Sequence, residues 1–314
     1  MKVVIPGGSG QVGTLLARAF HRDGHQVVVL SRKPGSAPWR VVPSDAKTSG
    51  DWIADFEGAD AVINLAGRSV NCRYHAENRW AIKQSRVEAT RRVAEAISRT
   101  THPPRVWLQM STATIYAHRY DAANDEATGI LGASEPGLPE TWRFSVDVAM
   151  SWERAVDDAA FPHTRKIKLR SAMVMSPDHG GIFDVLLGLV RHDLGGRAGH
   201  GRQYVSWIHD RDFVQAVYWL IERDLQGPVN LASPNPVSYA DFMRDLREAW
   251  GIRFGLPATK WMLEIGALIL RSETGDRTGA RRPSACSCLV RNVGHLCPTN
   301  APRPRLTDFR ARGP

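Results

Sequence analysis

Seven residues near the start of the chain restrict its fold more than any other feature. Gly7-Gly-Ser-Gly10-Gln-Val-Gly13 follows the β-rich run Val3-Val-Ile5 and opens a segment in which Val12, Leu15, Leu16, Ala19 and Phe20 recur at helical spacing until Gly24. A strand, a tight glycine turn and an amphipathic helix in this order make the first half of a dinucleotide-binding unit. Each glycine has its own reason. Gly7 permits the turn, Gly10 lets the backbone approach a pyrophosphate, and Gly13 lets the helix pack close to the strand, while the helix N-terminus faces the phosphates. Gln11 and Val12 lie within the loop and are expected to contact the nucleotide.

The pattern continues. Val27-Val-Val-Leu30, Ala61-Val-Ile-Asn-Leu65, Val106-Trp-Leu-Gln-Met110 and Ile167-Lys-Leu169 read as strands, and Trp80 to Ser98 and Trp142 to Ala160 read as helices between them. Strands alternating with helices imply an α/β fold: a Rossmann-like, doubly wound parallel sheet with a small C-terminal α/β lobe. We place the nucleotide-binding domain at residues 1–170, with its sheet completed by later segments, and the lobe at 171–271. In the lobe, glycines surround the apolar run Ile182 to Val190 and lead to Tyr204-Val-Ser-Trp-Ile-His209. Helices from Arg211 to Glu222, Tyr239 to Trp250 and Trp261 to Leu270, and a strand-like Pro228-Val-Asn-Leu-Ala232, complete it.

The second strand ends Leu30-Ser31-Arg32-Lys33. A site selective for NAD(H) places a carboxylate here, on the ribose hydroxyls; none is present, and Arg32, beside Ser31, can pair with a 2'-phosphate. The expected cofactor is therefore NADP(H). The net charge of +9 does not argue for nucleic acid, because eight arginines against Glu273, Asp276 and Asp308 put five of those charges after residue 271. No apolar run is long enough for a membrane helix, and the N-terminus enters a strand without a signal-like segment, so we read the protein as cytoplasmic with no membrane partner. Four cysteines make no disulfide framework in 314 residues.

Taken together, further motifs resemble the extended short-chain dehydrogenase/reductase superfamily, in its atypical branch called the epimerase family, related to NAD-dependent epimerase/dehydratases. The resemblance spans roughly Met1 to Leu270. It rests on the glycine loop, Ser31-Arg-Lys-Pro34, Asn64-Leu-Ala-Gly67 after the fourth strand and Ser111-Thr-Ala-Thr-Ile-Tyr116 after the fifth. Trp152-Glu153, Leu169-Arg-Ser171, Gly180-Gly181, Gly199-His-Gly-Arg-Gln203, Ser206-Trp-Ile-His209 and Asp212 follow in order. It implies that Asn64, Leu65, Ala66 and Gly67 line the far side of the cofactor and that Ser111 and Thr112 sit beside the nicotinamide. There a hydroxyl can polarise a carbonyl or alcohol of a small-molecule substrate. Tyr116 is a further candidate acid, and Gln203, Trp207 and His209 are candidate substrate contacts.

One departure matters. Active members of the wider superfamily carry Tyr-x-x-x-Lys on the helix after the fifth strand, and those positions fall here near Phe144 or Ser145 and Val148 or Ala149. Two readings follow: an NADP(H)-dependent oxidoreductase or epimerase-like enzyme acting on a small hydroxy or carbonyl compound, and a non-catalytic NADP(H)-binding sensor or scaffold.

From Ser272 the apolar periodicity stops, and arginine, proline, glycine, serine and threonine dominate. Such a segment is expected to stay unpacked, the product of an altered reading frame after about Glu273-Thr274, leaving apolar helix faces that favour a homodimer. Cys286, Cys288, His295 and Cys297 offer an alternative reading as zinc ligands, but their spacing matches no usual zinc knuckle, and no metal is assigned.

Overall fold

The computed structural model describes residues 1–117, 123–197 and 201–256. The expected helix from Trp261 to Leu270, the segment after Ser272 with its cysteines, and Gly199 and His200 lie outside the described residues.

The chain runs β1 (Lys2–Pro6), α1 (Gln11–Arg22), β2 (Gln26–Ser31), β3 (Arg40–Pro43), β4 (Ala61–Asn64), α2 (Ala76–Ser98), β5 (Val106–Thr112), α3 (Glu140–Asp157) and β6 (Arg165–Ser171). It continues through β7 (Met173–Met175), α4 (Ile182–Arg191), β8 (Tyr204–Val205), β9 (Trp207–His209), α5 (Asp210–Glu222), β10 (Gly227–Leu231), β11 (Val237–Ser238) and α6 (Tyr239–Trp250). Seven strands form one sheet in the order β10-β6-β5-β4-β1-β2-β3, and every pairing in it is parallel. The order reverses direction at β1, which lies between β2 and β4, and opens the crevice where a doubly wound sheet takes its ligand.

The strands are apolar on both sides because helices cover both faces. On one side Leu16, Ala17 and Phe20 of α1 and Phe213, Val217 and Leu220 of α5 pack on Val3, Ile5, Val27, Val29 and Ile63. On the other, Val93, Ala96 and Ile97 of α2 and Val156 of α3 close over Val4, Val28, Val62 and Trp107. Fully buried side chains of this size each contribute about 1.5–3 kcal/mol.

The sequence misses β3: four half-exposed residues, Arg-Val-Val-Pro, carry too little alternation to stand out, and the strand exists because β2 pairs with it at the sheet edge. α2 begins at Ala76, earlier than Trp80, and α3 ends at Asp157, earlier than Ala160. β10 joins the main sheet beside β6, so the chain returns to the nucleotide-binding layer after the glycine-rich stretch.

The smaller lobe is a separate apolar cluster. Phe183, Leu186, Leu187 and Val190 of α4 meet Phe242, Met243 and Leu246 of α6 over Met175. Two short strand pairs, β7 with β9 in parallel and β11 with β8 antiparallel, form separate two-stranded sheets beside it. Among the described residues no helix is long and apolar enough to cross a membrane.

Candidate functional site

The crevice opens at the carboxyl ends of β1, β4 and β5. Its first wall is the glycine loop. Gly7 has a φ of +75°, and a Cβ there would stand 2.6 Å from the Ala66 backbone, so the turn lies directly against the loop leaving β4. At Gly13 a Cβ would come within 2.6 Å of the Gly8 carbonyl carbon and oxygen, so helix and loop are in contact there. Gly10 is different: its φ is −78°, ordinary for any residue, and the nearest atom to a Cβ is the Gly7 oxygen at 3.8 Å. Among the described residues, no atom lies closer than 3.8 Å to a Cβ placed on Gly10.

Gly10 is also the N-cap of α1, with no side-chain cap and no acidic residue in the first turn, so the first amides of the helix remain for an anion. A dinucleotide pyrophosphate fits this cradle: open space over the capping glycine, free amides and positive helix end. Gln11 leans toward the lobe, where its Nε2 donates to the Asp178 carbonyl at 3.2 Å and a Cβ on Gly181 would fall 2.6 Å from its Cδ. Arg18 pairs with the Asp178 carboxylate at 3.2 Å, a second tie between α1 and the loop after β7. Val12 is half-buried against the α1 side of the core.

At the end of β2, Ser31 is buried, with its Oγ 2.9 Å from Ser9 Oγ and accepting from the Lys33 amide at 3.2 Å. The β2 end is thereby fastened to the glycine loop. Arg32 follows it, exposed, and no carboxylate among the described residues pairs with it.

Across the crevice, Asn64 is fully buried. It donates to Gln109 Oε1 at 2.9 Å and accepts from the Ala66 amide at 3.1 Å, which shapes the turn leaving β4. Leu65 donates its amide to the Pro6 carbonyl at 2.8 Å, Ala66 is buried, and Gly67 is exposed.

The crevice beyond β4, at the ends of β5, β6 and β10, is made of side chains that sequence reading only partly found. Ser111 donates to Glu153 Oε1 at 2.6 Å; Glu153, on α3, forms a two-pronged pair with Arg170 of β6 at 2.9 and 2.7 Å. Arg170 Nη1 donates to the Tyr116 hydroxyl at 2.8 Å, and that hydroxyl donates to Asn230 Oδ1 at 2.9 Å on β10. Burial opposes the charge of Arg170, but Glu153 and then Tyr116 outweigh it and hold the guanidinium above its ordinary pKa. Ser111, Tyr116, Glu153, Arg170 and Asn230 are all buried.

Tyr116, expected to face a substrate, instead has its hydroxyl turned into this network. Thr112 keeps the more open position: it is half-buried at the end of β5, accepts from the Thr114 amide at 3.2 Å and lies 3.0 Å from the Thr114 hydroxyl. On α3, where the superfamily's Tyr-x-x-x-Lys would stand, Val148 and Ala149 are buried and Ser145 donates to the Thr141 carbonyl at 2.9 Å.

Three further candidates lie on the lobe side. Gln203 accepts the Tyr239 amide on its carbonyl at 2.6 Å, and Trp207 Nε1 donates to the Asn235 carbonyl at 3.2 Å. His209 is buried as the N-cap of α5, where its Nδ1 accepts from the Arg211 amide at 3.2 Å. Nearby Asp212 has its carboxyl raised above the usual range, by burial first. Arg170, in the Leu169-Arg-Ser171 motif, and Asn230, in the strand Pro228-Val-Asn-Leu-Ala232, received no role from the sequence, although polar residues at the carboxyl ends of otherwise apolar strands were a signal for both.

Comparison with known proteins agrees with this arrangement. The model of the NAD dependent epimerase/dehydratase family matches residues 3–136. Epimerase family protein SDR39U1 of Bos taurus is 33% identical over 258 residues, covering 80% of this chain and 81% of its own. Epimerase family protein YfhF of Bacillus subtilis is 28% identical over 291 residues, covering 88% and 89%. Among solved structures, human epimerase family protein SDR39U1 with NADPH superimposes with a TM-score of 0.73 at 26% identity, covering 87% of this chain and 89% of that one. The UDP-glucuronic acid 4-epimerase of Bacillus cereus shares the fold, with a TM-score of 0.74 at 15% identity over 99% of this chain and 97% of its own. The glycine loop, the seven-stranded parallel sheet and these relatives agree that the chain belongs to the NAD-dependent epimerase/dehydratase family.

Proposed function

We propose that the protein binds NADP(H) across the crevice and acts as an oxidoreductase or epimerase-like enzyme on a small hydroxy or carbonyl compound held between the sheet and the lobe. The observation that carries the cofactor reading is the end of β2, where Ser31 is fastened to the glycine loop and the next residue is an exposed arginine with no carboxylate beside it. The human relative solved with NADPH supports the same choice.

For the reaction, Thr112 is the hydroxyl assigned to the substrate, and Ser111 and Tyr116 hold the strand end and the following turn in place through Glu153, Arg170 and Asn230. The test follows NADPH absorbance across a panel of small carbonyl compounds. Thr112→Val is expected to lower turnover by more than it weakens NADPH binding. Inactivity of the unaltered protein across the panel, with tight NADPH binding retained, would favour the sensor reading. That reading draws on the buried Val148 and Ala149 where a catalytic pair would stand.

A further inference from the structure

Among the described residues, Arg86 is a cation without a carboxylate partner. It lies on α2 facing α3, with its guanidinium 5.1 Å from the centre of the Trp152 ring. Nη1 donates to the carbonyls of Arg68 and Ile82, both at 3.0 Å. Among the described residues Nε and Nη2 donate to no atom, and neither is sealed in the interior without a partner, so both border accessible space.

The neighbouring cations on this helix are compensated. Arg79 pairs with Glu140, and Lys83 pairs with Asp147 at 2.9 Å. Arg86 pairs with no carboxylate among the described residues, and burial pushes its guanidinium down to about 10, which leaves it charged at neutral pH. A partly desolvated cation held this way is costly unless an anion completes it.

The position ties this cation to the crevice. A Cβ on Gly67 would stand 3.2–3.5 Å from Cγ, Cζ and Nε of Arg86, so the loop leaving β4 rests on this side chain. Gly67 is the last residue of the wall beginning at Asn64, one residue beyond Ala66, whose backbone lies against the glycine loop at Gly7. The indole of Trp152 is itself fixed, donating to Thr90 Oγ1 at 3.1 Å, so the guanidinium rests on a rigid plate.

We infer that Arg86 is a binding residue for an oxyanion, a carboxylate or phosphate group carried by the substrate, which enters beside Gly67 and takes the free Nε and Nη2 donors in a two-pronged contact. The substrate class thereby narrows from a small hydroxy or carbonyl compound to an acidic one. The inference rests on the enzyme reading above for the word substrate, but the anion site itself does not.

The test uses the full chain, with and without saturating NADPH, titrated by calorimetry with malonate, inorganic phosphate and neutral malonamide. The unaltered protein is expected to bind malonate or phosphate saturably and malonamide not at all. Arg86→Gln should weaken that binding by about tenfold or more, Arg86→Lys should recover part of it, and Arg73→Gln, which removes an exposed charge from the same loop, should change nothing. NADPH affinity should stay within about twofold in both Arg86 variants. The relative strengths of malonate and phosphate then separate an acid from a phosphate ester. Binding unchanged in Arg86→Gln, no binding of either anion by the unaltered protein, or loss of NADPH affinity in Arg86→Lys would overturn the inference, the last by giving the guanidinium to the cofactor. Failure of the unaltered protein to bind NADPH would sink the cofactor reading, while the titrations without nucleotide still report on Arg86.

Discussion

The two ends of the crevice are built from different materials. At the phosphate end the backbone makes the site: Gly7 and Gly13 bring loop, helix and strand into contact, and Gly10 leaves space above uncapped amides. At the other end side chains from β5, α3, β6 and β10 make it, joined from Ser111 through Glu153 and Arg170 to Tyr116 and Asn230. A backbone site tolerates change at its open position and fails at its packed ones. A buried side-chain network fails at any member that leaves a charge or a polar atom unpaired.

The largest expected effect falls on the network. Glu153→Ala strands Arg170 among buried neighbours, and breaking such a pair costs about 3–5 kcal/mol. Urea unfolding should show the loss, and Glu153→Met combined with Arg170→Met should return much of it. A Glu153→Ala protein as stable as the original would mean that the pair does not hold α3 to β6.

At the phosphate end, Gly13→Ala drives a methyl into the Gly8 backbone and should cost about 1–3 kcal/mol. Gly10→Val meets no protein atom closer than 3.8 Å at its Cβ, so it should keep the original melting temperature and lose NADPH binding. Melting curves and a fluorescence titration of each variant check both halves. If Gly10→Val unfolds, or folds and still binds, the two glycines do not divide the labour in this way.

The same difference explains what the sequence disclosed. Glycine spacing after Val3-Val-Ile5 announces the phosphate end because the backbone geometry admits few other residues, and the apolar strands announce the sheet. The side-chain end was visible only in part. Ser111, Thr112 and Tyr116 stand in one stretch, but the direction in which Tyr116 points depends on Arg170 and Asn230, which are 54 and 114 residues away in the chain. Partners that distant leave no local pattern. Arg86 was hidden for a related reason: a cation on a charged helix reads as solvent-facing until Trp152 and the loop at Gly67 are seen to enclose it.

A smaller effect tests that point. Tyr116→Phe removes an acceptor from Arg170 and a donor from Asn230, and should cost about 1–2 kcal/mol of stability while leaving NADPH affinity unchanged. Denaturation and calorimetry on one preparation decide it. Unchanged stability with abolished turnover would return the hydroxyl to the substrate.

We propose that the β2 end selects the 2'-phosphorylated cofactor, and calorimetry with NADPH and NADH on the unaltered protein and on Arg32→Ala tests this selection. NADPH is expected to bind about tenfold or more tighter than NADH in the unaltered protein, with the gap closing in Arg32→Ala because its NADPH affinity falls toward that for NADH. Equal affinities for the two nucleotides in the unaltered protein, or a preference that survives the loss of Arg32 intact, would contradict it.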